Sequence, residues 1–150
     1  MSGESDLIKL YSSRILALAA DIPRQDRLQA PDATVKRRAP LCGSTVTVDI
    51  RVADGKVVDY GQEVRACALG QAAASIVGGV IVGCSTAEVV AARDALKAML
   101  KDGAPTPAAP FDGLEVLRPA REYKNRHASI LLSLEAAVEA LDQAAQSDCA

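Results

Sequence analysis

Apolar residues first recur at helical spacing. Leu7, Tyr11, Ile15 and Leu18 lie three or four positions apart and Pro23 follows, which predicts a helix over residues 6–21. Residues 24–32 are polar, close with Pro31, and read as a connection into a short strand over 34–38 that ends near Pro40. A period of two follows over 45–64. Val46, Val48, Ile50 and Val52 alternate with Thr45, Thr47, Asp49 and Arg51, as a strand with one buried face requires. Asp54-Gly55 supplies a turn. A two-residue loop there would pair Ile50 with Asp59 and Val46 with Glu63, placing carboxylates on the apolar face. A three-residue loop, Ala53-Asp54-Gly55 with Gly55 left-handed as a bulge, pairs Ile50 with Val58 and Val48 with Tyr60, and is the register expected.

After Val64 the alternation stops. Residues 67–77 are rich in Ala, precede Gly78-Gly79, and predict a short buried helix. Ser85-Thr86-Ala87-Glu88 has the form of a capping box, and Val89, Ala92, Leu96 and Met99 form the apolar stripe of a helix ending at Lys101-Asp102-Gly103. Pro105, Pro107 and Pro110 make 104–110 an extended connection, and 114–126 holds a further turn broken by Pro119. Ile130, Leu131, Leu134, Val138 and Leu141 mark a final helix over 127–144, with 146–150 as a frayed tail. The order of helix, strands and helices indicates an α+β domain, its helices packed on one face of an antiparallel sheet. A length of 150 residues suits a single domain over 1–150.

Composition narrows the function classes. With 49% hydrophobic and 24% charged residues the chain is built to fold, but Ala dominates, Trp is absent and Phe111 is the one Phe, so the core must be aliphatic and closely packed. Seventeen basic against 19 acidic residues give a net charge of -2, and no basic cluster exceeds Lys36-Arg37-Arg38. Neither the phosphate electrostatics nor the base stacking of a nucleic-acid binder is present. The acidic start lacks the pattern of a secretory signal, and the run 72–83 is too short and Gly-rich to span a bilayer, so a cytoplasmic protein without membrane contact is expected. In a reducing compartment Cys42, Cys67, Cys84 and Cys149 are buried thiols, metal ligands or reactive thiols rather than a disulfide framework.

Two of these cysteines stand at joints of the predicted fold. Cys42 lies in Ala39-Pro40-Leu41-Cys42-Gly43, where Pro40 and Gly43 mark a tight turn, and Cys67 lies where the last strand passes into a helix. His127, the one histidine, opens the last helix. Side chains at element ends can converge while the frame stays rigid, and thiolate and imidazole suit soft metals. A bland reading stands beside each: Cys67 as a small buried hydrophobe among alanines, His127 as a solvated cap residue. Cys84 and Cys149 have no partner at a defined spacing and are taken as structural.

Pro40-Leu41-Cys42-Gly43, the hairpin, then Arg65-Ala66-Cys67-Ala68-Leu69-Gly70-Gln71-Ala72-Ala73-Ala74-Ser75, and finally Arg126-His127-Ala128-Ser129 resemble the successive signatures of the NifU/IscU-type iron–sulfur cluster scaffold proteins. The likeness spans about residues 33–141 and implies the SufE/NifU fold, a three-stranded antiparallel sheet with helices on one face. It also implies a non-enzymatic scaffold that builds a transient iron–sulfur cluster, or binds zinc, and works with a cysteine desulfurase and other iron–sulfur assembly proteins. That family uses three cysteines, an aspartate two residues after the first and a histidine just before the third. Cys42, Cys67 and His127 match, whereas Ser44 stands at the aspartate position and Ala128 at the third cysteine, leaving an incomplete ligand set. The proline-rich chaperone motif of many members has no clear copy, since Arg118-Pro119-Ala120-Arg121 is followed by extra residues before His127. Three readings follow: a scaffold that holds metal, a nascent cluster or sulfur through Cys42 and Cys67 with His127; a metal-free adaptor or persulfide carrier that keeps the fold; and a thiol redox enzyme using Cys42 and Cys67 as a reversible disulfide.

Overall fold

The alternating segment forms the centre of the molecule. In the computed structural model, which describes residues 12–41 and 43–149 and side chains as far as 146, strands β1 (Ala33–Arg38), β2 (Thr45–Ala53) and β3 (Lys56–Arg65) make an antiparallel sheet in the order β1-β2-β3. Helix α1 (Ser13–Ala20) precedes it, and α2 (Ala68–Val80), α3 (Thr86–Asp102), two 3-10 segments (Phe111–Glu122 and Lys124–Arg126) and α4 (His127–Cys149) follow. Ser12 caps α1 by accepting from the N–H of Ile15 at 3.3 Å. The earlier part of the helix expected over 6–21, with Leu7 and Tyr11, lies outside the described residues. No helix among the described residues is long and apolar enough to cross a membrane.

The hairpin register differs from the one expected. Asp54 and Gly55 both have left-handed backbones, with φ of 55° and 75°, and Ala53 faces Lys56, so the loop has two residues. The register then shifts between Arg51 and Val52. Val52 faces Val57 but Arg51 faces Asp59, which leaves Val58 as a bulge, and beyond it Ile50 faces Tyr60 and Val48 faces Gln62. The objection that a two-residue loop would turn carboxylates inward holds only for an unbroken ladder, because the bulge returns Asp59 to the polar face. A contact remote in sequence accompanies this: the N–H of Val57 donates to the carbonyl of Cys84 at 2.9 Å and that of Gly83 to the carbonyl of Val57 at 2.7 Å. Local alternation cannot report such a partner.

Helix α4 packs against β1 and β2, whose buried face carries Val35, Val46, Val48 and Ile50, and α2 packs against β3. Residues 72–78 of α2 are all buried, and alanines and glycines there allow close approach on several sides. Helix α3 has the predicted capping box, Ser85 with Glu88, and ends on left-handed Gly103. The segment expected to break at Pro119 instead runs through it as a 3-10 helix, since Phe111, Leu114, Leu117 and Ala120 recur every third residue and bury one face. Helix α4 continues to Cys149 rather than fraying from 146.

The polar face of β2 is covered as well. Residues 24–28 cross it: the carbonyl of Arg24 accepts from the N–H of Gln62 at 2.9 Å, and a Cβ on Gly61 would stand 2.5 Å from the carbonyl oxygen of Asp26. Beneath this crossing Asp49 is 0% exposed. Its carboxylate accepts from Arg27 Nε at 2.6 Å, Arg27 Nη2 at 3.1 Å, the Leu28 N–H at 3.0 Å and Thr34 Oγ1 at 2.6 Å. Burial pushes its pKa up, but donation from Arg27, then Thr34 and Leu28, outweighs burial and holds it below the ordinary carboxylate value. Asp49→Asn should therefore destabilise the fold by about 2–4 kcal/mol in urea unfolding near pH 7. A carboxylate with a lowered folded pKa contributes stability that is complete above about pH 4 and lost as pH falls through the folded value. The Asn variant should lose that part of the acid dependence, and an unchanged acid profile would show that Asp49 does not carry it.

Candidate functional site

Three joints of the chain meet at the end of the sheet where β1 turns into β2 and β3 runs into α2. The β1–β2 turn is closed by the N–H of Ala39 donating to the carbonyl of Ser44 at 2.8 Å and that of Gly43 donating to Ala39 at 2.9 Å. Gly43 has φ of 71°, a backbone that favours glycine, and Leu41 at the turn is 82% exposed. Cys42 sits between these two residues in sequence and lies outside the described residues.

Cys67 is the N-cap of α2 and partly exposed, and its thiol makes no capping bond to the amides of the helix. Its Sγ instead lies 3.4 Å from Ser129 Oγ in the first turn of α4, and Ser129 Oγ donates to Ser44 Oγ at 3.0 Å. Ser44 and Ser129 are 4% and 1% exposed, so a buried hydroxyl pair ties the turn and both helix starts together. Gly70 permits this. A Cβ there would stand 2.5 Å from Ser129 Oγ, closer than packed atoms come, and 3.2 Å from the Ser129 carbonyl oxygen.

His127 opens α4 as expected but faces away from Ser129, since residues two apart in a helix are separated by about 200° around its axis. Its Nε2 lies 3.0 Å from the carbonyl oxygen of Ala120 and 3.1 Å from that of Arg121. Carbonyls only accept, so Nε2 is the donor in both contacts. Ala128 between the two is exposed. Among the described residues no three His, Cys, Asp or Glu side chains are grouped to hold a metal ion. Cys84 is buried and its Sγ donates to the Val80 carbonyl at 3.4 Å, while burial, and then the charge of Glu88, raise its pKa, as befits an inert core thiol. The side chain of Cys149 lies outside the described ones. Sequence reasoning missed the Ser44–Ser129 pair, because a serine beside a candidate ligand gives no signal of burial.

Residues 10–129 match the family model described as the NifU-like N terminal domain. The chain belongs to this NifU-like family. Among solved structures it is similar to a nitrogen-fixing NifU-like protein (N-terminal) from Brucella abortus, with 40% identity and a TM-score of 0.92 over 94% of this chain and 98% of that one. It also resembles a protein of Fervidobacterium islandicum assigned to scaffold duty in iron–sulfur cluster assembly for the SUF system, with 20% identity and a TM-score of 0.79 over 89% of this chain and 98% of that one, a likeness of fold. No curated protein matched the chain. The NifU-like match spans the turn at 39–44, the start of α2 and the first residues of α4, all the joints that meet here.

With Cys42 and Cys149 replaced by Ser, thiol labelling of this NifU-like chain should give one fast sulfur, Cys67, and one that reacts only on unfolding, Cys84. Gly70→Ala should lower stability by about 1–3 kcal/mol through overpacking. It should also change the Cys67 labelling rate. A rate and stability equal to those of the parent would remove the close approach from the account.

Proposed function

We propose that the chain is a scaffold-like protein of iron–sulfur cluster assembly that holds a metal ion or nascent cluster, or accepts sulfur, through Cys42 and Cys67 with His127. The observation that carries the reading is the partly exposed N-cap thiol of Cys67, fixed against the start of the helix that His127 opens, in a member of the NifU-like family. The cargo would be an iron–sulfur cluster in transit, or zinc. Cys42 and Cys67 would ligate as thiolates, and His127, released from the carbonyls of Ala120 and Arg121 and turned toward Cys67, as the imidazole ligand. A tetrahedral ion then has one position left for water or a donor from a partner. Sulfur acceptance is redox-neutral: the Cys67 thiolate attacks the outer sulfur of a donor persulfide, the donor's S–S bond breaks, and the donor leaves as a thiolate while Cys67 becomes the persulfide. The chain catalyses no turnover of its own on this reading. Its partners are a cysteine desulfurase and other iron–sulfur assembly proteins in the cytoplasm, and residues 1–150 act as one domain.

The second reading, a metal-free adaptor or persulfide carrier, is favoured by two residues: alanine at 128 cannot ligate, and Ser44 puts a neutral hydroxyl where the family has a carboxylate. Metal analysis on anaerobically purified protein separates the two. The scaffold reading expects bound metal that is lost in Cys67→Ser and kept in Cys84→Ser. Ala128→Cys should strengthen zinc or cluster binding, because a thiolate replaces water in the open position. If neither parent nor Ala128→Cys binds metal with its thiols reduced, the adaptor takes the scaffold's place.

A further inference from the structure

The basic run Lys36-Arg37-Arg38 ends β1, and β1 is an edge of the sheet. At the other edge the N–H of Gln62 in β3 is taken by the carbonyl of Arg24. On β1 the pairing leaves a row of free backbone groups. Ala39 bonds to Ser44 at the turn, so by antiparallel alternation Arg37 and Val35 exchange bonds with Val46 and Val48. The intervening Thr34, Lys36 and Arg38 turn their N–H and C=O groups outward, and among the described residues no hydrogen bond reaches those groups.

The side chains add a sign. Arg37 is neutralised by Glu139 at 2.7 Å. Lys36 and Arg38 lie on the other face opposite the neutral Thr47 and Thr45, and have no ion-pair partner among the described residues. Asp49, opposite Thr34 on that face, is already engaged by Arg27.

We infer that the β1 edge receives an added strand from a partner protein, an extended segment with carboxylates at alternate positions. Its backbone bonds to the outward groups of Thr34, Lys36 and Arg38, and carboxylates two residues apart lie beside Lys36 and Arg38. A second copy of the chain is a poor occupant, because antiparallel edge-to-edge pairing brings the same cations together. The strand leads directly into the turn at 39–44, so the added segment ends beside the candidate site. The inference rests on the edge and its charge, and holds whether or not the site binds metal.

Nuclear magnetic resonance titration of the labelled full chain tests it with three blocked peptides: one alternating Glu with Val, one alternating Lys with Val, and the Glu peptide N-methylated along one edge. The Glu peptide should shift the amides of Thr34, Lys36 and Arg38 and slow their exchange with solvent, and its binding should weaken with added salt. The double variant K36E/R38E should weaken it about tenfold, with the rest of the spectrum reporting an intact fold. The Lys peptide and the N-methylated peptide should not bind. Binding of the N-methylated peptide equal to its parent would reduce the effect to charge attraction and overturn the inference. So would a silent β1 edge with the Glu peptide, or sedimentation of the unmodified chain as a dimer paired through β1.

Discussion

The close approach of α2 to the start of α4 is the constraint on which the candidate site depends. It is made possible by what the sequence lacks: with one Phe and no Trp, the layer between sheet and helices is filled by alanines and small aliphatics. At Gly70 even a methyl group is too much, since it would overlap Ser129. Because Cys67 caps the same helix three residues earlier, the position of its sulfur is set by packing and not by a loop. A thiol held at a rigid joint keeps its geometry while remaining partly open to water.

The fold was largely legible because periodicity reports burial. The three strands, the buried Ala-rich helix, the capping box and the helix stop at Gly103 all follow from local pattern. Two of the misses share one physical origin, a partner remote in sequence. The bulge at Val58 faces the loop between α2 and α3, and the burial of Asp49 depends on Arg27 and Leu28 crossing a face that alternation marks as polar. The 3-10 segment is a different case, because Phe111, Leu114, Leu117 and Ala120 carry a period of three that was there to be read in the sequence.

At the site, residue types with distinctive chemistry were visible and those without were not. Cys67 and His127 stand at the helix starts the sequence indicated, and Cys84 is the inert core thiol expected. Ser44 and Ser129 were invisible as a pair because they lie 85 positions apart and each alone reads as a turn or cap residue. Their burial is what distinguishes them, and burial of a small polar side chain is a tertiary property.

The Ser44–Ser129 bond also bears on what a divergent NifU-like site can do. A carboxylate at position 44 would bring a negative charge and a hard oxygen ligand to this joint, whereas a serine hydroxyl brings neither. As built, the Ser129 hydroxyl bridges two segments, donating to Ser44 Oγ at 3.0 Å and lying 3.4 Å from Cys67 Sγ. If Ser129 turned its proton toward the sulfur, the Ser44 hydroxyl could donate to Ser129 in its place, so the pair can stay joined in either direction. The same small polar pair thus joins the turn bearing one candidate thiol to the helix start that meets the other.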